Sequence, residues 1–383
     1  MGYNFDEIHN RYGTYSIKYD PISRGKPEGA LPMWVADMDF KAPQCVSDAL
    51  KKLAEHGIYG YSEPDAAYFE TVQNWFLRRF NWRIEREWTF ITPGIVNALF
   101  IAVRALTEVG DGVLIQQPVY YPFESAVTQT GRKLIVNQLI YENGKYTIDF
   151  EDFEAKIKQA KMFILCNPHN PVGRVWTKDE LTRMGEICLK HNVLIIADEI
   201  WQDFIYEGNK HVVFSSISQK FADITVTATA ASKTFNLAGM HHANIFIPNE
   251  KLRNKFKREY ASSGLSQPGT AGIITCKAAY DGGEKWLNAL IAYLSENMQF
   301  IDSFLKERIP KVKLVKAEGT YLAWLDCTAL GVDDMETKLA EEAKLWLNDG
   351  ERFGIGGKGF LRMNIACPLD VVKDAMLRLE SWV

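Results

Sequence analysis

Short apolar segments alternate with amphipathic ones through the middle of the chain. Five apolar runs have the length and composition of buried β-strands, and they lie at residues 112–118, 161–168, 193–199, 223–232 and 243–248. After the second run, Thr177 and Glu180 form a T-x-x-E capping box, and apolar residues then repeat at helical spacing. Strands that alternate with helices in this way predict a largely parallel α/β sheet.

The last third of the chain has a different pattern. Residues 286–309 predict one long amphipathic helix, residues 321–326 a strand, and residues 370–383 a closing helix. This order is typical of a smaller α+β domain packed beside the first. Two glycines interrupt the pattern within residues 280–285, and we place the boundary between the two domains there.

Composition and charge argue against several classes of protein, including nucleic-acid-binding and membrane proteins. The chain has 383 residues and a net charge of −4 without a basic block, which argues against a nucleic-acid partner. Its six cysteines are scattered and form no C-x-x-C pair, so we expect neither a disulfide framework nor a metal site, and a reducing compartment fits. The apolar stretch 95–106 is too short to span a bilayer, and residues 1–13 do not form a signal peptide. We therefore expect a cytoplasmic protein with no membrane partner.

Polar residues follow several of the predicted strands. Asn170, Asp198, Lys233 and the pair Tyr120–Tyr121 each come just after one of them. Taken singly, each has an ordinary explanation: a turn, a helix cap, a surface ion pair or core packing. Because the carboxyl ends of parallel strands share one edge of a sheet, the set as a whole indicates a ligand site. A lysine at such a place is either paired or is a nucleophile for a carbonyl cofactor.

The chain resembles a pyridoxal-phosphate (PLP) enzyme of the aspartate-aminotransferase fold, fold type I, and within it the cystathionine β-lyase-like C–S lyases. The matching segments are "LPMWVADMDF" (31–40), "YGYSEP" (59–64), "TPGIVNAL" (92–99), "QPVYYPF" (117–123), "NPHNPVGRVW" (167–176), "ADEIWQDF" (197–204), "ASKTFNLAG" (231–239), "EGTYLAWLD" (318–326) and "FLRMNIACP" (360–368). The resemblance implies a large PLP-binding domain at 46–283 with a mainly parallel, seven-stranded-type sheet. It also implies a smaller α+β domain at 284–383, and an arm at 1–45 that joins the small domain.

The resemblance also implies how the cofactor is held. Lys233 would bind it covalently and then act as general base at the substrate Cα. Asp198 would keep the ring nitrogen protonated, Asn170 would contact the ring 3-oxygen, and Tyr120 would stack on the ring.

The cofactor phosphate needs hydrogen-bond donors. The backbone N–H groups of Ile95 and Val96 start a predicted helix and are suited to an anion, and Ser232 adds a hydroxyl. Tyr61 matches the tyrosine that reaches the phosphate from the neighbouring subunit in this family, which implies a homodimer.

Substrate contacts follow from the same resemblance. Arg362 is expected to bind the α-carboxylate of an amino acid, because a guanidinium matches a carboxylate bidentately. The backbone at Ala36 is expected to close over the substrate beside Trp34. We take Tyr121 as a second catalytic candidate next to Lys233.

Three departures affect substrate choice more than cofactor chemistry. Trp201 stands where aminotransferases of this fold usually have Tyr and C–S lyases often have His. Ala230 replaces a hydroxyl residue, so another donor such as Thr229 would have to serve. His241 and His242 occupy positions that are more usually small and polar, either at the substrate entrance or as ordinary structural histidines.

Two enzymatic functions and one binding function remain open. The first is β-elimination from cystathionine or a cysteine S-conjugate, which yields a thiol, pyruvate and ammonia. The second is transamination, which uses the same Lys233, Asp198, Asn170 and Arg362. The third is a cofactor-bound regulatory protein, which the intact catalytic set argues against.

Overall fold

The computed structural model describes residues 2–264 and 267–383. The strands are β1 Leu31–Pro32, β2 Thr89–Thr92, β3 Gly112–Gln117, β4 Lys133–Glu142, β5 Lys145–Ile148, β6 Met162–Cys166, β7 Leu194–Asp198, β8 Thr225–Thr229, β9 Ala243–Phe246, β10 Lys313–Leu314, β11 Leu322–Asp326, β12 Leu345–Trp346, β13 Asn348–Asp349 and β14 Phe360–Asn364. The helices are α1 Gln44–His56, α2 Ala66–Phe80, α3 Ile95–Leu106, α4 Pro122–Thr128, α5 Phe150–Ile157, α6 Lys178–Lys190, α7 Gln219–Ala222, α8 Ala231–Thr234, α9 Glu250–Ser262, α10 Thr270–Gly282, α11 Glu284–Arg308, α12 Met335–Glu342 and α13 Leu369–Trp382.

A large central sheet has the strand order β2-β9-β8-β7-β6-β3-β4-β5. The five strands from β8 to β4 are parallel, and β2, β9 and β5 run antiparallel to their neighbours. The prediction of a mainly parallel α/β sheet is therefore confirmed. The sheet has eight strands where we expected the seven-stranded type, because the hairpin strand β5 pairs with the long strand β4.

Both faces of this sheet are covered, which explains the continuous apolar runs in the sequence. Every residue of β3, β6 and β8 is buried. Within β3, Val113 and Ile115 pack with the cluster that contains α3, whereas Leu114 packs with the cluster that contains α5 and α6. The alternation puts one apolar layer on each side of the sheet.

The register aligns the ends of the parallel strands. Cys166 at the end of β6 lies opposite Asp198 at the end of β7, and Asp198 lies opposite Ala228 in β8. The loops that follow these strands therefore open onto one edge of the sheet, which is where ligands bind in open α/β folds.

A second, antiparallel sheet has the order β10-β11-β14-β13. It brings Arg362 of β14 opposite both Trp324 and Asn348. Strand β1 pairs with β12 in a separate two-stranded sheet, so the segment around residue 31 is tied to the last third of the chain. The division into 1–45, 46–283 and 284–383 stays a prediction, although Gly283 does separate α10 from α11.

The predicted elements lie within a few residues of the observed ones, with one informative exception. The strand expected at 223–232 ends at Thr229, and Lys233 lies in the single helical turn α8. The amine is thus carried by a helical turn after the strand. Among the described residues, no helix is both long and apolar enough to cross a membrane.

The capping box predicted before α6 is present and generates a stability test. The Thr177 hydroxyl accepts from the Glu180 backbone N–H at 3.2 Å, and the Glu180 carboxylate accepts from the Thr177 backbone N–H at 2.8 Å. We expect Thr177→Ala to reduce stability by about 1 kcal/mol, because the Glu180 backbone N–H in the first turn of the helix loses its hydrogen-bond acceptor. Thermal unfolding checks this, with Thr182→Ala on the same helix as control; equal melting temperatures for both variants would contradict it.

Candidate active site

A cavity of about 240 Å³ opens where the carboxyl edge of the central sheet meets the second sheet. It brings together eleven of the twelve residues that the sequence singled out: Trp34, Ala36, Ile95, Val96, Tyr120, Tyr121, Asn170, Asp198, Ser232, Lys233 and Arg362. Tyr61 is the one that does not line it.

Lys233 points its amine at the segment that crosses the cavity. Its Nζ donates a hydrogen bond to the Ala36 carbonyl, and it lies 5.5 Å from the centre of the Trp201 ring. Burial lowers the pKa of Lys233 to about 8, while Asp37 acts in the opposite direction. The lowered pKa makes the unprotonated amine, which a nucleophile or base requires, more accessible near neutral pH than in an exposed lysine.

Asp198 is a buried carboxyl, only 4% exposed, at the end of β7. Its Oδ1 accepts from the Ile200 backbone N–H at 3.1 Å, and no ion pair joins it to another described residue. Burial raises the pKa of Asp198 to about 7, and the neighbouring Glu199 adds to the rise. A carboxyl in this state needs a proton or a cationic partner, and the protonated nitrogen of a pyridine ring would be such a partner.

Arg362 is buried without a carboxylate partner among the described residues. Its guanidinium donates to Asn170 Oδ1 at 3.1 Å, to Asn348 Oδ1 at 2.7 Å and to the Trp34 carbonyl at 2.7 Å, while its Nε has no partner. Burial lowers the pKa of Arg362 to about 10. A desolvated cation held by neutral oxygens is suited to an incoming carboxylate.

The opposite end of the cavity is suited to an anion with several oxygens. Helix α3 begins at Ile95, and Gly94 before it has a φ of 128°, which only glycine adopts easily. The first N–H groups of a helix have no partner within it, so those of Ile95 and Val96 are available, with the helix dipole behind them. Ser232 lines the same cavity. These groups fit the phosphate of PLP.

The tyrosines differ in placement. Tyr120 lines the cavity, and burial raises its pKa to about 12. Tyr121 is 41% exposed beside it, with the two ring centres 5.3 Å apart. Tyr61 is 97% exposed and lies outside the cavity of its own chain.

Two of the three departures from the family pattern, Trp201 and the His241–His242 pair, line the same cavity, and Ala230 does not. Trp201 is buried in the wall and packs edge-on against Tyr321, with ring centres 4.6 Å apart. His241 and His242 also line the cavity, and the His242 ring bonds Tyr68 Oη at 2.7 Å. The expectation for Thr229 is wrong, because its hydroxyl donates to the Asn244 carbonyl at 3.0 Å and does not line the cavity.

Sequence reasoning missed four polar residues of the site. Asn348 holds Arg362, and Tyr321 donates to the Ala36 carbonyl at 3.1 Å. Asn236 and Asn364 bond the backbone of residues 35–40. Tyr321, Asn236 and Asn364 stand inside segments already recognised, where a buried polar residue in an apolar context was the available signal. Asn348 lies in the two-residue strand β13, which carries no periodic signal.

Comparison with known proteins assigns the family. The chain matches the family "Aminotransferase class I and II" over residues 32–379. It is 43% identical to cystathionine beta-lyase PatB of Bacillus subtilis, with 99% of each chain covered. The structure of cystalysin from Treponema denticola, which contains a pyridoxal 5'-phosphate cofactor, superposes with a TM-score of 0.96 at 38% identity, over 100% of this chain and 99% of that one. The PLP-bound C–S lyase of Staphylococcus hominis gives a TM-score of 0.95 at 31% identity, over 100% and 98%.

The fold and the arrangement of the cavity define a fold type I enzyme scaffold. The chain belongs to the class I and II aminotransferase family.

The raised pKa of Asp198 generates a pH-dependent prediction for the cofactor-free protein. Between about pH 4 and 7 the folded chain keeps a proton that the unfolded chain releases, so Asp198 makes stability fall as pH rises through this window. Asp198→Asn removes the titration and keeps an acceptor for Ile200. We therefore expect the melting temperature of Asp198→Asn, relative to the unsubstituted protein, to rise from pH 5 to pH 8. The exposed Asp333→Asn is the control, and a constant offset for both variants would refute the prediction.

Proposed function

We propose that this protein is a PLP-dependent carbon–sulfur β-lyase. It converts cystathionine or a related cysteine S-conjugate and water into a thiol, pyruvate and ammonia. The observation that carries the proposal is that Lys233, Asp198 and Arg362 line one cavity, while neither Asp198 nor Arg362 has a partner of opposite charge among the described residues. The likeness to PatB, cystalysin and the staphylococcal C–S lyase supports elimination at sulfur as the reaction.

PLP, when bound, withdraws electrons from the substrate Cα and makes loss of the Cα proton feasible. Asp198 sustains this by holding a proton on the ring nitrogen from its buried position. Asn170 Nδ2 is free to donate toward the cofactor, because its Oδ1 is taken by Arg362. Tyr120 would stack on the ring, and the backbone N–H groups of Ile95 and Val96 with the Ser232 hydroxyl would hold the phosphate.

Lys233 has two tasks in turn. Its amine would hold the cofactor covalently, and once free again it would accept the substrate Cα proton at Nζ. A pKa of about 8 suits this second task, because a base is most effective when its pKa lies near the working pH.

Arg362 fixes the substrate so that the Cα proton faces Lys233. Asn170 and Asn348 fix the guanidinium, and the α-carboxylate would bind in its plane to the N–H groups that remain, including that of Nε. Tyr121 stands at the partly exposed side of the cavity, where its hydroxyl can supply a proton to the departing sulfur.

We further propose that the enzyme works as a homodimer in the cytoplasm. Tyr61 and its neighbours form an exposed apolar patch, with Ile58 at 69%, Tyr59 at 67% and Tyr61 at 97% exposure. A patch of this kind favours burial against a second copy, in which Tyr61 would reach the partner's phosphate site. The six free cysteines are consistent with a reducing compartment.

The decisive test uses purified protein with cystathionine and no oxo acid. We expect a yellow protein that releases pyruvate and free thiol in equal amounts. Lys233→Ala is expected to lose the visible absorption and at least about 10²-fold in turnover, because it lacks both the nucleophile and the base. The surface variant Lys220→Ala is the control.

Two other results would overturn the assignment. Turnover only after an oxo acid is supplied would identify an aminotransferase. A protein that stays colourless with added PLP would overturn the whole assignment, including the alternative of a cofactor-bound regulatory protein.

The dimer proposal is tested by mixing two defective subunits. Tyr61→Phe alone is expected to weaken cofactor retention roughly 10-fold, as loss of a hydrogen bond to a charged group does. Co-expression with Lys233→Ala then produces mixed dimers in which one site contains neither substitution. Activity above the sum of the separate variants is expected; activity no higher than that sum would place Tyr61 outside the partner's site.

A further inference from the structure

The segment 34–40, which we term the strap, crosses the cavity and is bonded both to the second sheet and to residues 233–236, which follow β8 of the central sheet. On one side, Arg362 donates to the Trp34 carbonyl, and Asn364 Nδ2 donates to the carbonyls of Val35 and Asp37 at 2.6 and 2.5 Å. Both side chains come from β14. The second sheet thus fixes the path of the strap on that side.

On the other side, the strap is bonded to the region that carries the catalytic lysine. Asn236 accepts from the Met38 backbone N–H at 3.0 Å and donates to the Met38 and Phe40 carbonyls. Lys233 Nζ and the Tyr321 hydroxyl both donate to the carbonyl of Ala36. The position of that carbonyl therefore sets the position of the amine.

A third set of contacts comes from the N-terminal arm, which the proposed mechanism does not use. The Arg11 guanidinium pairs with both oxygens of Asp37, at 3.2 and 2.8 Å, and also with Asp39 at 2.7 Å and the Met38 carbonyl at 3.1 Å. Lys18, whose side chain is 0% exposed, pairs with the other oxygen of Asp39 at 2.7 Å. Two cations thus balance the two carboxylates of the strap.

We propose that Arg11 is a positioning residue for Lys233: by pairing with Asp37 it holds the Ala36 carbonyl against the amine and cancels a carboxylate charge that the amine would otherwise face. The inference rests on the proposed role of Lys233. It extends the functional site to the arm, since Arg11 and Asp37 belong neither to the cofactor-binding set nor to the substrate-binding set described above.

Geometry and electrostatics agree on which groups the amine faces. Asp37 on the strap, Arg362 on β14 and Asp198 on β7 are the charged groups that act on it, and Asp37 is the strongest of the three. The hydroxyl of Tyr321 faces the same carbonyl. Since Arg11 neutralises Asp37, its removal increases the negative potential at the Lys233 nitrogen and favours the protonated form there.

The test measures protonation at the Lys233 nitrogen spectroscopically in the cofactor-loaded protein. Its readout is the midpoint of the pH-dependent change in the visible absorption of the bound cofactor. We expect Arg11→Met to raise this midpoint by roughly 0.5–1 pH unit, and Asp37→Asn to lower it by a similar amount. The double variant should return near the original value, because both charges are then gone.

Controls separate charge from structure. Arg11→Lys keeps the charge and should restore most of the midpoint, and Lys41→Met removes an exposed cation just after the strap and should leave it unchanged. Midpoints of Arg11→Met and Asp37→Asn that both equal the original value, or that move in the same direction, would overturn the proposal. A protein without any visible band would instead refute the proposed function, and this inference with it.

Discussion

Three ionisable groups are buried around one small cavity, and the placement of the surrounding elements determines how deeply each is buried. Asp198, Lys233 and Arg362 each have a pKa displaced by burial. A counter-ion would relieve that displacement, and neither Asp198 nor Arg362 has one among the described residues. The free energy that the protein holds in unpaired charges is recovered when a cationic ring and an anionic substrate enter. The burial that favours binding of the cofactor and the substrate therefore also shifts the pKa of Lys233, the proposed base.

Elements distant in sequence bury these three groups. The central sheet provides the floor through the ends of β6 and β7, and the second sheet provides Arg362 and Asn348. The strap closes the gap and is bonded to the second sheet and to residues 233–236 after β8. The Asp39 backbone N–H donates to the Ala366 carbonyl, but most of the bonded backbone groups of the strap pair with side chains. Its path therefore depends on a few amides, and Asn236 and Asn364 are the principal ones.

The sequence was sufficient for the parts of this arrangement that are local. Apolar runs indicated the strands, and the residue after each strand end indicated Asn170 and Asp198, because parallel strands leave one edge open. It was not sufficient where the chain departs from regular structure. Lys233 was placed at a strand end and lies in a helical turn, and Asn348 comes from a two-residue strand that carries no periodic signal. Contacts between segments far apart, such as Arg11 with Asp37, leave no trace in periodicity.

The pairing of β1 with β12 and the bonds from Arg362 to the strap have a consequence for biosynthesis. The cavity is assembled from residues near 36, 198, 233 and 362, so no early part of the nascent chain contains a complete set. Residues 233–236 and 321 can hold the strap earlier, but its contacts with the second sheet form only after Arg362 and Asn364 have left the ribosome. The complete cavity therefore forms only after residue 364 has been synthesised, and until then the chain is a partly folded intermediate.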